Sequence, residues 1–196
     1  MAAIKLVDPS EANGQVAFIF QKVEQQYGFT PNILKAIANC PDLLATFVPF
    51  WAAIYESPAI GPRLRAIAAL ATARAHDCNY CVSHMSASAL KAGMTPAEIA
   101  ATGPNGRLAE EKELLAVEFA HALTRNTSGV SDEMLRKLKA YFTDAELVNL
   151  TLVVGLYNLT GRLLTALRID VEDALQASIA AACKTPEVAM SGSGKG

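Results

Sequence analysis

Apolar residues recur along this chain every three to four positions, a spacing typical of helices that each bury one face. Glycine, proline and short polar residues interrupt the pattern, so most apolar segments have a predicted beginning and end. No segment shows the alternation of apolar and polar residues that predicts a strand. The predicted helices cover residues 11–27, 31–39, 41–56, 63–76, 78–91, a short segment from 95, 109–125, 131–141 and 144–168.

Individual residues predict where some of these helices start and stop. Thr95 and Glu98 have the spacing of a capping box, with proline at the first helical position between them. Asp77 is the predicted N-cap of helix 78–91, because its carboxylate can accept hydrogen bonds from the free amides of the next turn. Gly93 is predicted to end the same helix.

Length and composition favour one all-α domain. The chain has 196 residues, of which 52% are hydrophobic, and alanine and leucine dominate. A chain of this length can bury a sizeable core without disulfide bonds. We expect a domain of about eight to ten helices over residues 1–190, with its core over about 15–172, followed by a flexible tail at 191–196. The net charge of −2 gives no basic surface for a nucleic-acid partner.

One stretch, residues 147–167, is apolar enough to be compared with a membrane span. Asn149, Asn158 and Arg162 interrupt it, which favours a helix buried in protein or at a subunit interface, so no membrane partner is expected. Asn158 and Arg162 are spaced to share a helix face, where an interhelical hydrogen bond or a subunit contact is the preferred interpretation. The first residues lack the charged and apolar blocks of a signal peptide, and we expect a cytoplasmic protein.

The segment with the clearest chemistry is Cys78-Asn79-Tyr80-Cys81, with His84 shortly after it. Two thiols three residues apart on a helix share a face and can cycle between dithiol and disulfide. A position near a helix N-terminus stabilises a thiolate, which is the reactive form of cysteine. This spacing predicts thiol redox chemistry and is compatible with attack by either thiol.

Two other interpretations of the same residues stay open. The cysteines can be small apolar side chains that only pack in a core. Alternatively, Cys78, Cys81, His84 and His76 offer four nominal zinc ligands, although zinc sites usually draw their ligands from two separated segments. His76 and His84 can each also be packed or solvated histidines. The other cysteines, Cys40 and Cys183, have no partner motif.

These residues resemble the carboxymuconolactone decarboxylase and alkylhydroperoxidase D superfamily, in particular its longer, peroxidase-related branch. The likeness depends most on the Cys-x-Tyr-Cys motif and the histidine that follows it, and it covers roughly residues 15–172. The segments that carry it are 28–36 with Pro41, 65–84, 113–120 and 157–162.

The resemblance implies an all-α fold that assembles as dimers, trimers or hexamers, with no metal or organic cofactor. It also implies that Cys81 attacks a peroxide and that Cys78 resolves the product as a disulfide. The family's proton relay uses a glutamate and a histidine, whose positions hold Ala66 and Met85 here. His84 is the expected substitute in that relay.

The sequence therefore predicts a thiol-dependent peroxidase with a modified proton relay. Its expected partners are a small hydroperoxide substrate and a dithiol protein that reduces the disulfide again. The changes at Ala66 and Met85 also suggest a non-catalytic or redox-sensing member of the fold. A decarboxylase acting on a lactone acid is the third hypothesis, against which the cysteine pair argues.

Overall fold

The protein is described here by a computed structural model, which covers residues 2–126, 128–173 and 175. Over these residues the chain forms nine helices and no strand, which confirms the all-α prediction. The predicted tail at 191–196 and Cys183 lie outside the described residues. The helices are α1 (Gly14–Tyr27), α2 (Asn32–Ile37), α3 (Pro41–Glu56), α4 (Pro62–Ala75), α5 (Asn79–Lys91), α6 (Pro96–Ala100), α7 (Glu111–Arg125), α8 (Asp132–Tyr141) and α9 (Asp144–Ala166).

Helix α4 is the centre of the main core and packs against α5, α7 and α9. Every residue from 65 to 73 is buried, as expected for a helix that is apolar on all sides. Many of these residues are alanines, whose small side chains let neighbouring helices approach closely. A second, smaller cluster joins α1, α2 and α3 through Phe20, Leu34 and Leu44.

Several predicted helix ends are present in the structure. Thr95 and Glu98 form the capping box of α6, and a second capping box starts α9 at Thr143. Gly28 and Gly93 take left-handed φ angles of 82° and 83° where α1 and α5 end. The predicted start of α1 at residue 11 is early, because the helix begins at Gly14.

The predicted N-cap of α5 is wrong. Asp77 has a φ of 54° and lies in the tight turn between α4 and α5, a backbone conformation that aspartate tolerates better than most residues. Cys78 is the N-cap instead, and its Sγ accepts a hydrogen bond from the backbone N–H of Cys81. The helix therefore starts one residue later than predicted, at Asn79, and the first thiol itself caps it.

Among the described residues, α9 is the one helix long and apolar enough to cross a membrane, judged by length and composition. Half of its most apolar window is buried inside the protein, and it packs against α3, α4, α5 and α7. Nδ2 of Asn149 donates to the carbonyl of Ile54, and Asn158 donates to Thr124 of α7. These contacts hold one face of α9 inside the protein, while Val148 and Leu159 on the same helix are exposed.

Candidate functional site

The turn between α4 and α5 places the two thiols side by side. The Sγ atoms of Cys78 and Cys81 lie 2.8 Å apart, and each residue exposes no more than 3% of its surface. Cys78 is positioned by its capping role and by the hydrogen bond from its N–H to the carbonyl of Ala73. The structure thus brings together the thiol pair that the spacing predicted, in a protected site.

The two thiols differ in acidity. The hydrogen bond between the two thiols lowers the pKa of Cys78, although burial opposes the shift. Backbone N–H groups of Cys81 and Tyr80 act in the same direction. The bond to Cys78 and burial both raise the pKa of Cys81. Cys78 is therefore the more readily ionised thiol of the pair.

Of the two thiols, Cys81 is the one that a molecule in a neighbouring cavity can reach. A cavity of about 390 Å³ lies beside Cys81, and Cys78 is not among its lining residues. Most of the cavity surface is apolar, with a wall of large aromatic side chains. These are Tyr27, Phe29, Phe47, Trp51, Tyr55, Tyr80 and Tyr157.

The two positions of the missing relay line the same cavity. Ala66 and Met85 are both buried, so neither supplies a titratable group beside Cys81. The hydroxyls of Tyr55 and Tyr157 lie 3.2 and 2.7 Å from Sδ of Met85 and hydrogen-bond to each other. Burial raises the pKa of both tyrosines, so both stay neutral hydrogen-bond donors.

Sequence reasoning missed these tyrosines for a simple reason. Tyr55 comes from α3 and Tyr157 from α9, about a hundred residues apart along the chain. Each also reads as an ordinary core aromatic on an amphipathic helix. The only available signal was the likeness of segment 157–162 to the family, which assigned no role to its tyrosine.

His84 also lines the cavity, and a carboxylate fixes its orientation. Its Nε2 lies 2.7 Å from Oε2 of Glu172, and its ring stacks on Tyr80 at 4.4 Å between ring centroids. Glu172 also accepts hydrogen bonds from the Tyr80 hydroxyl and the Asn32 N–H. Burial disfavours the charge on Glu172, but these hydrogen bonds outweigh it and lower its pKa to about 2. Glu172 lies beyond the last long helix in no recognisable motif, and sequence reasoning missed it too.

A buried cation completes the cavity. Arg65 is 8% exposed and donates from Nη2 to the carbonyls of Ser57 and Ile60, whereas its Nε has no hydrogen-bond partner. Its guanidinium lies 5.5 Å from the ring centre of Tyr55. Within the part of the chain that the structure describes, no carboxylate forms an ion pair with Arg65. The mostly apolar cavity is thus lined by a buried cation, in addition to Lys91.

His76 occupies a different side of the thiol pair. One of its ring nitrogens and the two sulfurs all lie within 4.8 Å of one another. His76 does not line the cavity, and its ring packs against Gly161 of α9. His84 is not part of this group, so the four nominal zinc ligands do not converge. Cys40 is exposed at the start of α3.

A sequence model of the carboxymuconolactone decarboxylase family matches residues 41–103, from the start of α3 to just past α6, and thus includes both thiols. Residues 41–103 thus match a model of this family, which supports the superfamily that the cysteine motif suggested. No curated protein sequence matches the chain.

Solved structures share the fold of this chain. An uncharacterized peroxidase-related protein from Silicibacter sp. TM1040 is 20% identical, with a TM-score of 0.77 over 89% of this chain and 93% of its own. A second such protein, from Ralstonia eutropha JMP134, is 17% identical, with a TM-score of 0.78 over 89% and 94%. The debrominase Bmp8, as a cysteine-to-alanine variant in complex with 2,3,4-tribromopyrrole, is 22% identical, with a TM-score of 0.78 over 92% and 99%.

Proposed function

We propose that this protein is a thiol-dependent peroxidase that reduces an organic hydroperoxide with the Cys78–Cys81 pair. The observation that carries the proposal is the pair of sulfurs 2.8 Å apart, of which one borders a substrate-sized cavity. The fold shared with peroxidase-related proteins supports the same chemistry.

The different properties of the two thiols assign them different roles. Cys81 is the thiol that a substrate in the cavity can reach, whereas Cys78 is the more readily ionised. Cys81 attacks the terminal peroxide oxygen while its proton passes to the Cys78 thiolate across their hydrogen bond. The O–O bond breaks, Cys81 becomes a sulfenic acid, and the alkoxide takes up a proton and leaves as the alcohol.

Cys78 then closes the cycle. The sulfur of Cys78 attacks the sulfur of the Cys81 sulfenic acid and the disulfide forms. The hydroxide that leaves takes the proton that Cys78 had received from Cys81, which gives water. In sum, two thiols and one hydroperoxide give a disulfide, an alcohol and water. An external dithiol protein returns the disulfide to two thiols. Cys78 therefore acts first as the base and then as the resolving thiol.

The proton for the alkoxide comes from groups other than the family relay, because the side chains of Ala66 and Met85 have no proton that they can donate. The hydroxyls of Tyr55 and Tyr157 and the ring of His84 line the cavity that Cys81 borders. A neutral hydroxyl can donate directly to the alkoxide. Glu172 holds His84 in place through their 2.7 Å contact and makes it a positioned acid or base.

The cavity defines the class of peroxide. Hydrogen peroxide needs no aromatic wall, whereas a cavity of about 390 Å³ fits a small organic molecule. The charge of Arg65, which lines the cavity, favours a substrate with a polar or anionic group. We therefore expect an aromatic or other bulky hydroperoxide to react faster than hydrogen peroxide.

The test is single-turnover oxidation of the reduced protein by cumene hydroperoxide and by hydrogen peroxide, followed by counting free thiols. We expect rapid loss of two thiols, faster with the organic peroxide. Cys81→Ser should abolish the reaction. Cys78→Ser removes the base and the resolving thiol, so Cys81 should oxidise more slowly and its sulfenic acid should persist for dimedone to trap. The control Cys40→Ser should react normally. Oxidation at the rate of free cysteine, or a trapped sulfenic acid on Cys78 in the Cys81→Ser protein, would contradict the proposal.

Reductive dehalogenation is the second candidate, and the replaced relay together with the aromatic cavity favours it. The fold of the debrominase Bmp8 is similar to this one, and a haloaromatic compound suits the same wall. Cys81 would take the bromine from carbon, a proton would replace it on the ring, and Cys78 would displace bromide as the disulfide forms. Incubating the reduced protein with 2,3,4-tribromopyrrole and measuring bromide separates this reaction from peroxide reduction. If neither compound oxidises the pair, a redox-sensing or non-catalytic role is favoured.

A further inference from the structure

His76, Cys78 and Cys81 form a group of possible metal ligands. The proposed peroxide reduction uses the two sulfurs but gives no role to the His76 nitrogen. One ring nitrogen of His76 and both sulfurs lie within 4.8 Å of one another, and the described residues contain no other such group of histidine, cysteine and carboxylate donors. His76 lies outside the cavity in which a substrate would bind, because it is not among the lining residues.

His76 also has a buried nitrogen without a partner. Its Nε2 is inaccessible to solvent and forms no hydrogen bond within the described part of the chain. Leaving such a nitrogen without a hydrogen bond destabilises the folded protein. The ring is held in this place by Gly161, which leaves room for it against α9. An imidazole nitrogen beside two thiols is a donor set that suits a soft cation.

We propose that the reduced protein binds a thiophilic cation of the Zn²⁺ class through His76, Cys78 and Cys81. Imidazole nitrogen and thiolate sulfur are the ligands that Zn²⁺ prefers, and three protein ligands leave one coordination position open. Bond lengths of about 2.3 Å place two sulfurs on one tetrahedral zinc roughly 3.8 Å apart. Because the Sγ atoms lie 2.8 Å apart without a metal, binding must rotate at least one thiol outward.

The sequence argues against a zinc site because the nominal ligands are crowded into one short segment. The left-handed turn at Asp77 removes this difficulty, since it separates the end of α4 from the start of α5. His76 therefore approaches the thiols from one helix end, and Cys78 and Cys81 approach from another. Two elements supply the ligands although the segment is short.

Metal binding and the thiol cycle exclude each other. Two thiolates bound to a cation are not free to attack a peroxide, and a disulfide offers no thiolate to a cation. A hydroperoxide that oxidises the pair takes up two electrons, forms the disulfide and releases the metal. The site thus couples metal occupancy to the redox state of the pair, whether or not the protein turns over peroxide.

The test measures metal binding, not activity. Reduced, metal-free protein in a background with Cys40→Ser and Cys183→Ser is titrated with Zn²⁺ against a chromophoric chelator. Titration with Cd²⁺ then reports thiolate-to-metal charge-transfer absorption. We expect one ion per chain, no binding to the disulfide form, and an affinity lowered at least about tenfold in Cys78→Ser, Cys81→Ser and His76→Ala.

His84→Asn is the matched control and is expected to bind as tightly as the parent, because His84 is not part of the group. If His76→Ala is poorly folded by circular dichroism, His76→Gln replaces it. Absence of charge-transfer absorption in the parent, or equal affinity in a folded His76 variant and the parent, would overturn the proposal. Failure of peroxide reduction would leave this result untouched, so the two proposals are separable.

Discussion

At the scale of single residues, hydroxyl groups and a thioether stand where the family places a charged relay. The side chain of Met85 has no titratable proton. Its sulfur nevertheless fixes the hydroxyls of Tyr55 and Tyr157, which lie 3.2 and 2.7 Å away. Neutral donors beside a thiol can protonate a leaving alkoxide but do not deprotonate the thiol. The base function then falls to Cys78, whose Sγ lies 2.8 Å from that of Cys81.

Tyr157→Phe tests this assignment. Positioned acid groups contribute about 10²- to 10⁴-fold to a rate, and Tyr55 remains as a partial replacement, so we expect roughly a tenfold slower peroxide-dependent oxidation of the thiols. Stopped-flow measurement of single-turnover oxidation gives the rate. Tyr141→Phe, at an exposed tyrosine of α8, is the control and should react normally. An unchanged rate in the folded Tyr157→Phe protein would show that its hydroxyl is not the acid.

The site was predictable from sequence only where its residues are neighbours along the chain. Cys78, Cys81 and His84 lie within one helical segment, so their spacing alone indicated that they share a face. Tyr157 and Glu172 reach the same place by tertiary packing, for which a single sequence carries no signal. Their catalytic roles, like those of the three predicted residues, stay predictions.

At the scale of helices, the approach of α9 to the α4–α5 turn determines the position of the site. Gly161 makes this approach possible, because a Cβ at this position would lie only 2.0 Å from Cε1 of His76. The pattern of apolar residues predicted both helices but not this contact. The wrong N-cap at Asp77 has the same origin, since the turn conformation follows from how α4 and α5 pack.

Gly161→Ala is expected to destabilise the protein by about 1–3 kcal/mol, because the new methyl group must displace His76. Gly155→Ala is the matched control on the same helix. A Cβ there meets no atom within 4 Å, so the better helix propensity of alanine should stabilise the protein by up to about 1 kcal/mol. Urea unfolding of the three proteins gives both differences. Equal effects of the two substitutions would contradict the close packing of His76 on α9.

At the scale of the whole molecule, the segment after α9 returns to the N-terminal part of the chain. Asn32 of α2 donates from its side chain to the carbonyl of Asp170 and from its backbone to Glu172, and Ala3 donates to the carbonyl of Leu167. The sequence predicted the class of fold and most helix boundaries, because these follow from local periodicity and caps. The packing of the segment after α9 against Asn32 and His84 depends on long-range contacts that periodicity does not encode.

This packing should weaken in acid because Glu172 loses its charge. Its pKa of about 2 in the folded protein lies below the ordinary value of 4.5, so the folded state binds this proton less readily than the unfolded state. The stabilisation is therefore complete above about pH 4.5 and is lost as the pH falls toward 2.

Urea unfolding of the parent and of Glu172→Gln at several pH values tests this expectation. The parent should be more stable at neutral pH, and its advantage should shrink steadily between about pH 4.5 and pH 2, because the protonated carboxyl and the amide are then both uncharged. Glu118→Gln, at an exposed carboxylate of α7, should show no such trend. An advantage of the parent that stays constant down to pH 2 would mean that the charge on Glu172 does not hold the C-terminal segment against α2 and α5.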